Sequence, residues 1–95
     1  MTKTLFITGA SSGIGAATAQ AAAKAGWNVG LFARSEDKLK NLARDIGDQA
    51  LVLTGDATSY DDQEQAMSRL AQKFGQIDAV FANAGRGTSR KGRPR

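Results

Sequence analysis

Neither cysteine nor histidine occurs in the 95 residues. Together those absences exclude disulfides, thiol nucleophiles, Ser-His-Asp triads and the usual zinc sites. Whatever chemistry the chain supports must use serine, tyrosine, lysine or carboxylates, and no metal ligands are expected. Long apolar runs are missing as well. None approaches the ~20 residues of a membrane-spanning helix, and Met1 to Ile7 holds too little apolar sequence for the ~7 to 15 residues of a signal-peptide core. A cytoplasmic protein with no membrane partner is the expectation.

What is present is an ordinary globular balance, 41% hydrophobic and 23% charged, at a length that fits one small domain. The formal charge of +4 is unevenly placed. Residues 1 to 85 hold eight Lys and Arg against nine acids, a net of −1, so the surplus lies entirely in Arg86, Arg90, Lys91, Arg93 and Arg95. Basic character therefore belongs to a tail. The division expected is a folded domain over 1–85 and a disordered tail over 86–95, which has no residue able to anchor a core.

Along the first 85 residues, short apolar runs alternate with helical stripes. Leu5, Phe6 and Ile7 read as a buried strand that ends at Thr8 and Gly9. Gly13 to Ala25 is rich in alanine and predicts a helix, with Gly26 just beyond it. Asn28 to Ala33 predicts a second strand. Leu39, Leu42, Ala43 and Ile46 recur at i, i+3, i+4 and i+7 before Gly47, the stripe of a second helix. Leu51 to Leu53 predicts a third strand. Ser59 with Asp62 resembles a capping pair for a third helix, whose stripe is Met67, Leu70, Ala71 and Phe74 before Gly75. Asp78 to Ala82 predicts a fourth strand. Three strand-helix-strand units imply an α/β fold, a parallel sheet with right-handed crossovers and helices on both faces.

The segment Thr8-Gly9-Ala10-Ser11-Ser12-Gly13-Ile14-Gly15 lies between a predicted strand and a predicted helix, the context of a dinucleotide-binding loop. One glycine accepts unusual backbone angles, another lets backbone approach a diphosphate, and a third lets helix pack on strand. Amides at the helix start, aided by the helix dipole, would face the phosphates. A glycine turn that binds nothing is the plainer reading of the same residues.

The spacing G-x-x-x-G-x-G is similar to the T-G-x-x-x-G-x-G signature of the short-chain dehydrogenase/reductase family. Asn83-Ala84-Gly85 resembles that family's N-A-G motif, and Asp56, with Ala57 beside it, resembles the acid near the adenine ring. The resemblance covers residues 3 to 85. It implies a Rossmann-type sheet of strand order 3-2-1-4, a nicotinamide dinucleotide cofactor, and a homodimer or homotetramer for intact members. Asp56 also reads as a turn residue capping the third strand, and Asn83 as a side chain holding its own loop.

Cofactor choice rests on the end of the second strand, about 20 residues past the glycine loop, where an acid would bind the adenosine ribose hydroxyls of NAD. Here the sequence is Phe32-Ala33-Arg34-Ser35. Ala33 removes a carboxylate that would repel a 2′-phosphate, Arg34 offers planar donors that suit one, and Ser35 adds a hydroxyl. NADP is expected over NAD; the competing reading makes Arg34 a solvated surface residue.

The family's catalytic Ser and Tyr-x-x-x-Lys have no counterpart, so no catalytic residue is assigned. Tyr60 is followed four positions later by Glu64, and a carboxylate would not lower a phenol pKa; packing at the start of the third helix is expected of it. A fourth strand left at a sheet edge argues for a chain ended early or shifted in frame. The readings carried forward are the cofactor-binding front of an NADP-dependent oxidoreductase acting on a carbonyl or alcohol, a stand-alone NADP-binding module without catalysis, and nucleic-acid binding through the tail. The last lacks aromatic residues for base stacking.

Overall fold

The structure, a computed structural model, describes residues 2–11 and 13–82. It contains strands β1 (Thr4–Thr8), β2 (Asn28–Ala33), β3 (Ala50–Thr54) and β4 (Ala79–Ala82) and helices α1 (Gly13–Lys24), α2 (Glu36–Ile46) and α3 (Tyr60–Phe74). All strand pairs are parallel, in the order β3-β2-β1-β4. The expected α/β architecture and strand order are therefore observed.

Side-chain alternation explains why the strands read as continuous apolar runs. Leu5, Ile7, Val29, Leu31 and Ala33 point to one face, where Ala19 of α1 and Leu39 and Leu42 of α2 cover them. Phe6, Phe32 and Leu53 point to the other, beneath Ala66 and Leu70 of α3. Phe6 and Phe32 meet with ring centroids 5.6 Å apart and planes tilted by 39°, and burying each contributes roughly 2–3 kcal/mol. Gly30 belongs to this second face for a steric reason: a Cβ there would stand 2.6 Å from Leu70 Cδ2. Its missing side chain lets α3 lie close to the sheet.

Glycines close all three helices. After α1, Gly26 takes φ 96°, the Gly26 amide donates to Ala23 O and the Trp27 amide to Ala22 O. That pair of bonds is a Schellman motif. Gly47 and Gly75 follow α2 and α3 at φ 99° and 92°, donating to Ala43 O and Ala71 O. At the far end of the sheet, the Gln49 side-chain amide donates to Ala23 O and Trp27 O, fastening the approach to β3 onto the end of α1.

Two local differences from the sequence expectations have clear causes. Asp78 precedes β4 instead of opening it, and its carboxylate accepts a 2.8 Å bond from the Thr4 amide. Tyr60 opens α3 but is 74% exposed, which corrects the packing expected of it. The inward stripe of α3 runs through Ala66 and Leu70, and the first residue overhangs solvent. On the α3 face of β4, Val80 is 52% exposed, because α3 lies over the β1-β2-β3 side of the sheet.

Candidate functional site

Parallel strands place the loops after β1, β2 and β3 along one edge of the sheet, and each helix begins there. Two bonds stitch those loops together: the Ala10 amide donates to Phe32 O at 3.2 Å, and the Gly55 amide to Ala33 O at 3.0 Å. β1 lies between β2 and β4, so the chain leaves β1 toward one side and later returns to its other side. The crevice at such a reversal is where open α/β sheets bind ligands.

The glycine loop sits at this reversal. Thr8 ends β1 and is buried, Gly9 turns the chain at φ 66°, and Gly13 opens α1 at φ 56°. Gly15 is buried against the sheet, and Ile14 is 67% exposed. Ser11 is half-buried. A Cβ added to Gly13 would meet nothing within 4 Å, so its positive φ, and not crowding, is what calls for glycine there. Ser12 lies outside the described residues, as do Asn83, Ala84, Gly85 and the tail 86–95.

Charge distinguishes this helix start from the other two. The first turn of α2 carries Glu36 and Asp37, that of α3 carries Asp61 and Asp62, and that of α1 carries no acid. The first four amides of any helix have no partner within it and bear the positive end of its dipole. In α2 and α3 the chain supplies the compensating anions itself. Only α1 is left suited to an anion from outside. Negative residues were not part of the glycine signature, so the loop motif alone does not reveal this contrast.

Arg34 and Ser35 follow β2 and are exposed. Ser35 occupies the N-cap of α2, yet its side chain makes no capping bond. Ser59 contrasts with it, because its hydroxyl accepts from the Asp62 amide at 3.2 Å in front of α3. The Ser59–Asp62 capping pair is thus half realised. Instead of returning to Ser59, the Asp62 carboxylate accepts from the Asp56 amide at 2.9 Å.

Asp56 is held tightly. One carboxylate oxygen, Oδ1, accepts from the Thr58 amide at 2.9 Å and from the Thr58 hydroxyl at 2.8 Å, and the Asp56 carbonyl accepts from the Ser59 amide. The Thr58 amide and then its hydroxyl hold the carboxyl below its ordinary 3.8; burial opposes them, and the Arg34 charge adds to the lowering. The turn role weighed for Asp56 is therefore real, and it engages only one of the two oxygens. Ala57 is half-buried beside it, its carbonyl accepting from the Gln63 side chain. Thr58 and Gln63 were not singled out from sequence, and Asp62 was read only as the capping partner of Ser59; the Asp-x-Thr spacing of an Asx turn was the available signal for Thr58.

A cleft of about 520 Å³ lies elsewhere, lined by Ala17, Ala21 and Lys24 of α1 and by Asp45, Ile46 and Gln49. It sits toward the C-terminal ends of α1 and α2, away from the loops just described. Among the described residues no cluster of acids could hold a metal ion, and no helix is long and apolar enough to cross a membrane.

The family model described as short chain dehydrogenase matches residues 3–93. The chain is 40% identical over 81 residues to cis-2,3-dihydrobiphenyl-2,3-diol dehydrogenase of Paraburkholderia xenovorans, covering 85% of this chain and 29% of that protein. A crystal structure of 3-ketoacyl-(acyl-carrier-protein) reductase from Brucella melitensis, complexed with NADH, superposes with a TM-score of 0.79 at 35% identity, over 82% of this chain and 32% of the other. An alcohol dehydrogenase from the archaeon Thermococcus sibiricus, complexed with 5-hydroxy-NADP, gives a TM-score of 0.77 at 33% identity, over 84% and 36%. The chain thus spans about a third of the length of the relatives it matches.

Proposed function

The chain belongs to the short-chain dehydrogenase family, and on that premise we propose that it is the cofactor-binding front of an NADP-dependent oxidoreductase, without the residues of hydride transfer. The observation that carries the reading is the acid-free start of α1, with Arg34 exposed at the end of β2, the strand that pairs with β1. Amides of Gly9, Ser11, Ser12, Gly13, Ile14 and Gly15, with Thr8 fixing the loop, would hold the diphosphate. The positive-φ glycines Gly9 and Gly13, at the turn between β1 and α1, fit such a group. Arg34 and Ser35 would bind the 2′-phosphate, Asp56 and Ala57 the adenine, and Asn83, Ala84 and Gly85 would stand beside the cofactor.

The bound dinucleotide would supply or accept the hydride, exchanged with a carbonyl or secondary alcohol in the whole protein. No Tyr-x-x-x-Lys occurs in residues 1–95, so this stretch contributes binding and orientation. Relatives of this fold have been solved with NADH and with an NADP analogue, and either cofactor is compatible with the family. NADP is favoured because Ala33 offers no carboxylate to the ribose hydroxyls and Arg34 offers donors to a phosphate.

The test is the substitution Arg34→Asp, titrated by calorimetry with NADP and NAD. NADP binding should fall at least tenfold while NAD binding changes little, since an acid at this position accepts ribose hydroxyls. Equal losses for both cofactors would remove the NADP reading and leave the diphosphate loop standing.

A further inference from the structure

The end of β2 and the end of β3 are neighbours, and they carry opposite charges. Ala33 pairs with Thr54 in the parallel register, and the Gly55 amide donates to Ala33 O, so Arg34 and Asp56 emerge side by side. The two differ in how they are held. Asp56 is fixed through Oδ1 by Thr58, through its amide by Asp62 and through its carbonyl by Ser59. Arg34 makes no hydrogen bond and no ion pair within 4 Å among the described residues, although its charge reaches Asp56. An anion held by Thr58, Asp62 and Ser59 therefore stands beside a cation that has no such partner among the described residues.

We propose that Asp56 is a second determinant of cofactor choice, its carboxylate offsetting the Arg34 charge and limiting the preference for a 2′-phosphate. The proposal rests on the NADP reading above and concerns the size of that preference. A 2′-phosphate is drawn to the guanidinium and repelled by the carboxylate, whereas a ribose hydroxyl is nearly indifferent to both. Any contact between Asp56 and the adenine is common to NADP and NAD and cancels in the ratio of their affinities. That ratio isolates the electrostatic role. Asparagine preserves Oδ1 as an acceptor for Thr58, so Asp56→Asn removes the charge with the turn retained.

The experiment measures Kd for NADP and NAD by calorimetry on the 95-residue chain, on Asp56→Asn and on Asp45→Asn, which loses the same charge at the far end of α2. For Asp56→Asn the ratio of NADP to NAD affinity should rise about two- to fivefold, the range of exposed charge pairs. For Asp45→Asn it should not move. Melting curves establish folding, and if Asp56→Asn does not fold, Asp56→Ser is measured in its place, because its hydroxyl also accepts from Thr58. An unchanged ratio overturns the proposal, and so does an equal rise in Asp45→Asn, which would make the effect one of net charge. A wild-type ratio at or below one overturns the NADP reading instead, whichever way the Asp56 substitution moves it.

Discussion

The start of α1 and the starts of α2 and α3 share one edge of the sheet but are finished in opposite ways. Two carboxylates sit in the first turn of each later helix, and Ser59 caps α3 with its hydroxyl. The first turn of α1 has no acid and begins with a glycine at positive φ. In α2 and α3 the chain closes its own electrostatic account, which favours folding. In α1 it does not, and the difference is what a ligand anion can use. A helix start becomes informative about binding when its neighbours show what a purely structural start in the same molecule looks like.

The most direct way to break the comparison is to make α1 resemble the others. Ile14→Glu places an exposed carboxylate in that first turn. Dinucleotide affinity should fall by about tenfold or more through repulsion of the diphosphate, while stability should hold or rise by up to about 1 kcal/mol through the dipole. A loss of binding accompanied by a fallen Tm would point to damaged packing and count against the electrostatic account.

The glycines sharpen the contrast next. A Cβ at Gly55 would come within 2.6 Å of the buried Phe32 ring, so Gly55→Ala should cost about 1–3 kcal/mol of stability by denaturant titration. At Gly13 there is room but a φ of 56°, so Gly13→Ala should cost about 1–2 kcal/mol of stability through backbone strain and should also weaken dinucleotide binding, read by calorimetry. Caps come third. Ser59→Ala should cost about 1 kcal/mol, whereas Ser35→Ala, which loses no capping bond, should stay within about 0.5 kcal/mol. Equal costs would mean that the two helix starts are finished alike.

Acid pH gives the smallest effect. The Asp56 carboxyl is held below 3.8 in the folded chain, so its contribution is fully present above that value and is lost as pH falls through the lowered one. Below about pH 4 the wild-type Tm should therefore drop more steeply than that of Asp56→Asn. Parallel slopes would show that Thr58 and Arg34 do not favour the ionised form.

Much of the fold was legible because both faces of the sheet are covered. β2 is observed over the expected residues 28–33, since a strand buried on two sides is apolar throughout. The start of α2 was less visible: apolar periodicity begins at Leu39, but the helix begins at the exposed Glu36. Asp78 was misplaced for a tertiary reason, as its carboxylate is committed to an amide 74 positions away. No local pattern reports such a bond. Tyr60 was assigned to packing once Glu64 argued against a proton-donor role, and its place as the first residue of α3 left it without a surface to cover.

The site divides along the same line. The glycine loop announces itself because unusual backbone angles demand glycine, and the structure provides those angles at Gly9 and Gly13. Arg34 is proposed from its distance to the loop and from the missing acid at Ala33, and the structure leaves it exposed after β2. The bonds that fix Asp56 were not, because Thr58, Ser59 and Asp62 acquire their roles from how the loop folds around them. Asn83, Ala84 and Gly85 and the proposed boundary at residue 85 lie beyond Ala82, the last described residue.

An external anion should select the start of α1 over the starts of α2 and α3 on the same edge of the sheet. Titrating isotopically labelled protein with NADP and following backbone amide shifts by NMR tests it in one measurement. Saturable shifts should be largest at Gly9, Ser11, Gly13, Ile14 and Gly15, with Arg34 and Ser35 next and the first turn of α3 little affected. Shifts centred on the first turn of α2 or α3 without the glycine loop, or no saturable shift at all in folded protein, would contradict it.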